Sequence, residues 1–390
     1  MPGVLNPVQL GSHTKFQFCL IHDSTGELSR RLSVIGLIFR LVTEEQTATT
    51  DVTGVPHKRR PRYRGKNPRR FAEKYKEHGQ DAETIAKVIA AGKTPAGSHR
   101  PIMVAEILTV LAPQPGEIAV DGTLGYGGHA QEILARILPG GKLLGLDADP
   151  LELPKTEARL RALGFSAEVF AAHRTNFAGL PQVLAAQQIP GADMILADLG
   201  VSSMQIDDPT RGFSVKLDGP LDMRMNPQRG QPASSLLQKI EPEALVKLLV
   251  ANADEPNAAH LAPALAGKAF TSTLHLASTI RATLPRLSKD DSEGTVRRVF
   301  QALRIAVNDE FSALDTFLRL IPEHLKPGGR VAILTFHSGE DRRVKKAFAS
   351  GQQAGAYARI SDEVIRPTPA EQHSNPRSAS AKLRWAIRVK

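Results

Sequence analysis

From residue 99 onward, short apolar runs alternate with segments whose apolar residues recur at helical spacing. Glu117-Ile-Ala-Val-Asp121 reads as a short buried strand, and Gly122 to Gly128 as a glycine-rich turn. Ala130 to Leu138 then places Ile133, Leu134, Ile137 and Leu138 on one helical face, and Pro139-Gly140-Gly141 stops that helix. Lys142 to Asp147 reads as a second strand and Leu151 to Leu163 as a second helix. Ala167 to Phe170 reads as a third strand and Asp193 to Asp198 as a fourth. Strands alternating with helices of this length predict an α/β fold, a Rossmann-like, doubly wound parallel sheet.

The alternation breaks between residues 215 and 297, where helical stretches such as Glu243 to Val250 occur with few strands. It resumes with a helix over Val299 to Leu320, the turn Pro327-Gly328-Gly329 and a strand over Arg330 to Thr335. Lys382 to Val389 reads as a closing strand. The expected organisation is an N-terminal extension over 1–98, partly disordered, then a first α/β part over 99–214. A mostly helical insert over 215–297 and a second α/β part over 298–390 follow. Within the extension, the first 50 residues show no clear period, and Phe71 to Ala91 fits a helix ending near Gly92 and Pro95.

Composition narrows the class. Apolar residues make up 41% of 390, enough for a sizeable core. The apolar run Leu32 to Val42 is too short to span a bilayer and is interrupted by Arg40. Cys19 is the single cysteine, which excludes an intramolecular disulfide and a cysteine-built metal site. A cytoplasmic protein with no membrane partner and no metal is the expectation. The net charge is +10, and Lys58 to Lys76 alone carries +9. A basic arm on a near-neutral body predicts a polyanionic partner for the arm. Monomer and homodimer both stay open.

The candidate chemistry lies in Asp121-Gly-Thr-Leu-Gly125-Tyr-Gly127-Gly128, between the first strand and first helix. Glycines there let backbone approach a ligand, and the helix start beyond offers free N–H groups. Asp147 ends the second strand twenty residues after Gly127, where a carboxylate can accept the hydroxyls of an adenosine ribose. The same spacing fits a dinucleotide fingerprint and a nicotinamide cofactor. Asp121 tips the choice toward S-adenosylmethionine, because an anion there faces a cation and would repel a pyrophosphate. Asp198, followed by Leu199-Gly-Val-Ser202-Ser203, sets further polar groups at the carboxyl edge of the fourth strand.

Taken in order, several motifs resemble the RsmH (MraW) family of 16S rRNA cytosine-N4 methyltransferases. They are His99-Arg-Pro-Ile-Met103, Asp121 to His129, Asp147-Ala-Asp-Pro150 and Asp198 to Asp207. Arg211-Gly-Phe-Ser214, Asp218 to Met225, Phe300 to Asn308, Phe336-His-Ser338 with Glu340-Asp-Arg342, and Asn375-Pro-Arg377 with Ala381 to Arg384 complete the set. The resemblance covers residue 98 to the C-terminus. It departs at Gly339, where the family has Leu, near Ala379, where it has Arg, and over Asn252 to Asp291. The basic extension is outside the common core.

The resemblance implies a class I S-adenosylmethionine methyltransferase sheet with an inserted helical subdomain. It implies transfer to the exocyclic N4 of a cytosine in the decoding region of 16S rRNA, free or in the small ribosomal subunit. It implies cofactor contacts at Gly127, Gly128, His129, Asp147, Phe177, Asp198 and Gln205, to which the charge argument adds Asp121. Asp198 is the candidate catalytic residue. Ser202, Ser203, Arg211, Phe213, Arg224, Arg304, Phe336, His337, Arg342 and Arg384 form the candidate substrate side, the arginines for phosphates and the phenylalanines for stacking an extruded base. A methyltransferase of another RNA or DNA base, or of protein, is a competing reading, as is a non-catalytic RNA-binding assembly factor. A nicotinamide-dependent oxidoreductase is a third.

Overall fold

The computed structural model describes residues 101–390, apart from the side chain of Ser203. The basic stretch, the helix expected over Phe71 to Ala91, and the opening His99-Arg100 lie outside the described residues. Helix α1 (Val104–Leu111) leads into β1 (Ile118–Asp121), α2 (Gly128–Ile137), β2 (Lys142–Asp147), α3 (Leu153–Ala162) and β3 (Phe170–Arg174). Helix α4 (Leu180–Ala186), β4 (Ala192–Asp198) and the short α5 (Ser203–Asp207) follow. Five helices come next: α6 (Ala233–Lys239), α7 (Pro242–Ala253), α8 (Ala258–Leu265), α9 (Thr273–Thr283) and α10 (Lys289–Asn308). The chain closes through α11 (Glu310–His324), β5 (Leu325–Thr335), α12 (Ser338–Gln353), β6 (Tyr357–Ile360), α13 (Pro369–Ser374) and β7 (Lys382–Arg388).

The seven strands form one sheet in the order β3-β2-β1-β4-β5-β7-β6. The first five are parallel, and their residues divide by period two between its faces. Met194 and Leu196 join Ala332 and Leu334 against α1, α2 and α3. Ile195 and Ala197 join Val331 and Ile333 against α4, α11 and α12. Burial on both faces explains why these strands read as nearly unbroken apolar runs. Strand order reverses between β1 and β4, and a crevice opens there at the carboxyl ends.

Three expectations need correction. The sheet is mixed, because β7 enters antiparallel between β5 and β6. The third strand begins at Phe170 and not at Ala167. Residues 166–169 close a turn in which the Val169 and Phe170 N–H groups donate to the Ser166 carbonyl, while the Val169 carbonyl accepts the Leu143 N–H of β2, so the regular ladder starts only at Phe170. The single helix expected over Val299 to Leu320 is two helices, broken where Asp309 adopts a left-handed backbone (φ 51°).

The segment after β4 packs its own core. Phe213, Leu237, Leu249, Leu261, Leu276, Val299 and Phe300 are buried together. Helix α10 supplies one wall of this core, so the boundary expected at residue 297 falls inside a continuous helix. Among the described residues, no helix is long and apolar enough to cross a membrane.

Candidate functional site

The turn after β1 lies across the carboxyl ends of three strands. The Gly122 N–H donates to the Leu196 carbonyl, and the Leu124 N–H to the Leu146 carbonyl, both at 2.8 Å. The Asp198 N–H donates to the Thr123 hydroxyl at 2.6 Å, joining the ends of β1 and β4. The Gly125 N–H donates to one oxygen of Asp147 at 2.7 Å, and the Asp149 N–H to the other at 2.8 Å. Asp147 is thus oriented by backbone donors while each oxygen retains acceptor capacity. Gly127 is left-handed (φ 72°), and a Cβ there would stand 3.1 Å from Leu160 and Thr156. Beyond it α2 begins, with N–H groups at Gly128 and His129 free of helical partners and facing the crevice.

A cleft of about 1010 Å³ occupies this crevice. Its one half is lined by the residues of the turn, Asp147, Phe177 and Asp198. Phe177 tilts against Phe317 with ring centroids 5.2 Å apart. The Gln205 side chain also borders the cleft, but its amide is engaged. It accepts from the Ser202 N–H at 3.0 Å and donates to Asp149 at 2.8 Å. The other half runs past Leu199 to Ser202 to Met225, Arg304, Asn308, Phe336 and Glu340.

Buried acids set the electrostatics. Burial raises Asp198 to about 7, helped by the charge of Glu340. Burial likewise raises Asp147 to about 6, against the lowering pull of the Asp149 and Gly125 N–H groups. Asp121 is raised to about 6 by burial, which the neighbouring His129 and the Thr123 N–H oppose. It does not border the cleft: it lies beneath the turn, 2% exposed, accepting the Thr123 N–H at 3.1 Å. Its influence on a ligand is therefore through its field and not through contact. Burial lowers His129, so its ring is neutral at pH 7, bonded through Nε2 to the Ile102 carbonyl at 2.9 Å. Its Nδ1 stands 3.7 Å from the Asp198 carboxylate.

The expected substrate side divides. Ser202, Arg304 and Phe336 border the cleft; Arg211, Phe213, Arg224, His337, Arg342 and Arg384 do not. All five arginines expected to hold phosphates have carboxylate partners. Arg211 is buried and pairs with Asp149 at 2.8 Å, and Arg384 is buried and pairs with Asp341 at 2.6 Å. Arg224 pairs with Asp222 at 2.7 Å, Arg304 with Glu310 at 2.8 Å, and Arg342 with Asp254 at 2.7 Å. Phe213 is in the core of the helical segment and has no face for a base. His337 caps α12 through Nδ1, which accepts the Glu340 N–H at 3.4 Å. Ser203 opens α5 by its backbone.

Sequence reasoning missed Thr123, Asp149, Asn308 and Glu340. Burial opposes ionisation of Glu340, yet His337, Arg304 and the Phe336 N–H hold it below the usual carboxylate range. Asn308 accepts the Met225 N–H at 2.7 Å and donates to the Met223 carbonyl at 2.8 Å, fixing the loop opposite α10. Thr123, Asp149 and Asn308 act across long stretches of chain, which no local pattern signals, whereas Glu340 bonds the Phe336 and His337 N–H groups close by in sequence.

The donors present fit S-adenosylmethionine better than a dinucleotide. Three acids around one turn, Asp121 buried and Asp147 and Asp198 half-buried, favour a cation and disfavour a pyrophosphate. Comparison with known proteins agrees. The "Ribosomal RNA small subunit methyltransferase H 1" of Lachnoclostridium phytofermentans is 47% identical over 344 residues, covering 85% of this chain and 93% of the relative. A "Ribosomal RNA small subunit methyltransferase H 2" of Alkaliphilus metalliredigens is 47% identical over 342 residues, covering 85% and 97%. The "Ribosomal RNA small subunit methyltransferase H" of Myxococcus xanthus is 40% identical over 303 residues, covering 73% and 96%. The sequence pattern of the MraW methylase family matches residues 96–389. With that match spanning both the acid-lined turn and the strand that closes the sheet, the chain belongs to the MraW methylase family of S-adenosylmethionine-dependent enzymes.

Proposed function

We propose that this chain methylates the exocyclic N4 of a cytosine in small-subunit (16S) ribosomal RNA. The carrying observation is one continuous cleft bordered by the glycine turn and Asp147 as well as by Phe336, Arg304 and the loop after β4, with Asp198 on the strand between them. Family membership and relatives named for small-subunit ribosomal RNA support the substrate class. This reading puts the protein in the cytoplasm with its substrate, and assigns substrate recognition to the helical segment 215–297.

The cofactor supplies an activated methyl group on a sulfonium. Gly127, Gly128 and His129 would meet it through backbone N–H groups, Asp147 through its ribose, and Phe177 through an aromatic face. Gln205 orients the turn that ends in α5, through Ser202 and Asp149. Asp198 accepts a hydrogen bond from the cytosine amine, with the carbonyls of Leu199 to Val201 as further acceptors. That draws the nitrogen lone pair out of conjugation and toward the methyl group. A carboxylate near pH 7 is also suited to take the proton that N4 sheds after transfer. Phe336 offers a face to the base.

The substrate is tested by transfer of tritiated methyl to small subunits, naked rRNA and duplex DNA, followed by nucleoside mass spectrometry. N4-methylcytidine from rRNA or subunits is the expected product; labelled DNA, labelled protein or no label would overturn the reading. For Asp198→Asn, cofactor binding and single-turnover rate are measured separately. The rate should fall at least about 100-fold, the scale of general acid–base and positioning effects. Lost cofactor binding with unchanged chemistry at saturation would remove Asp198 from the reaction itself.

A further inference from the structure

Among the described residues, five arginines border the cleft: Arg174, Arg229, Arg297, Arg304 and Arg377. Two are engaged, Arg304 with Glu310 and Arg377 with Asp207. Arg174 ends β3 beside Asp147, in the half with the glycine turn. Arg229 and Arg297 are exposed, lie in the other half, and form no salt bridge among the described residues, although the charge of Arg297 acts on Glu293 one turn earlier on α10, whose carboxylate is bonded to Arg281.

Their backbones are well anchored. Arg229 sits in a turn where its N–H donates to the Asn226 carbonyl at 3.1 Å and the Gln228 N–H to the Asn226 side chain at 2.9 Å. The preceding Met225 is held by Asn308, at the end of α10, and by Arg211. Arg297 lies on α10 itself, two turns before Arg304. The Arg229 turn meets α10 at its far end: a Cβ on Gly230 would approach the Val307 carbonyl at 4.0 Å. Ten residues of helix, about 15 Å, therefore separate the two points along α10. Arg304 lies between them along the helix.

We propose that Arg229 and Arg297 hold backbone phosphates on opposite sides of the nucleotide whose base enters the cleft. The inference rests on the RNA reading above. An unpaired guanidinium on an anchored backbone is pre-organised for the bidentate geometry of a phosphate. Phosphates set the register of the strand, leaving base selection to the groups deeper in the cleft.

The test uses the full chain and an rRNA substrate, with kcat/KM for methyl transfer measured over a range of salt concentrations. Arg229→Ala and Arg297→Ala should each raise KM and flatten the log–log salt slope by about 0.7, the release from one single-strand phosphate. Arg297→Lys should keep most of the slope. S-adenosylmethionine affinity, measured by calorimetry, should not change in any of them. Arg319→Ala serves as the control, since Arg319 is exposed, without an ion pair among the described residues and outside the cleft. An unchanged slope in both cleft variants, or equal flattening in Arg319→Ala, overturns the assignment. If the unaltered chain methylates no RNA, the functional reading falls and takes this inference with it. Activity without a change in slope sinks this inference alone.

Discussion

The guanidinium of Arg211 reaches the carboxylate of Asp149 at 2.8 Å, across 62 positions of chain and with both side chains buried. The same carboxylate accepts from Gln205, and Arg211 also donates to the Met225 carbonyl at 2.9 Å. This ion pair and the Gln205 bond thus tie the turn after β2 to the loop beside α10 and to α5. Removing one partner leaves a buried charge unmatched, which costs about 3–5 kcal/mol. Arg211→Met should lower the urea midpoint of the fold accordingly; an unchanged midpoint would show that the pair is not structural.

The 2.6 Å bond from the Asp198 N–H to the Thr123 hydroxyl makes a second test. Thr123→Val preserves shape but deletes the acceptor. The variant should stay folded at a cost of about 1–3 kcal/mol, the penalty for a buried N–H left unsatisfied. Its single-turnover rate should drop by about tenfold or more, because Asp198 is no longer fixed. Wild-type rate with wild-type stability would rule out this coupling.

The acids predict a pH dependence with a definite sign. Asp147 and Asp121 are raised to about 6 and Asp198 to about 7, chiefly by burial, so in the free protein they gain protons as pH falls through that range. A sulfonium cation binds the ionised forms. Affinity for S-adenosylmethionine should therefore rise from about pH 5 to about pH 8 and level off above, and binding at about pH 6 to 7 should release protons. Calorimetry in buffers of different ionisation enthalpy reads that release. S-adenosylhomocysteine, which lacks the sulfonium charge, should show a shallower profile; equal profiles would contradict the role given to the acids.

At Gly339 a Cβ would stand 2.7 Å from Cζ of Phe311 and 3.2 Å from Nδ1 of His337. The Phe311 ring is in turn covered by the Arg343 guanidinium at 4.1 Å. Gly339→Leu should destabilise by about 1–3 kcal/mol through overpacking. Phe311→Leu should relieve part of that loss, so the double-mutant cycle should show a favourable coupling. Strict additivity of the two changes would mean that they do not meet.

Local sequence determined the strand–turn–helix order and the place of the glycine-rich turn. Parallel strands buried on both faces must be apolar runs, and a left-handed backbone packed closely on its neighbours favours glycine, as at Gly127. Asp147 and Asp198 were legible for the same reason: each ends an apolar run, where the sheet's carboxyl edge lies. Tertiary structure decided the rest. The antiparallel entry of β7 between β5 and β6 depends on pairing across distant segments, which has no local period. The arginines show the same division. Charge alone cannot tell Arg211, whose guanidinium is matched to Asp149, from Arg229, which has no such partner among the described residues. Whether a cation is spent inside the fold or left for a ligand depends on what the folded chain brings within hydrogen-bond reach of it.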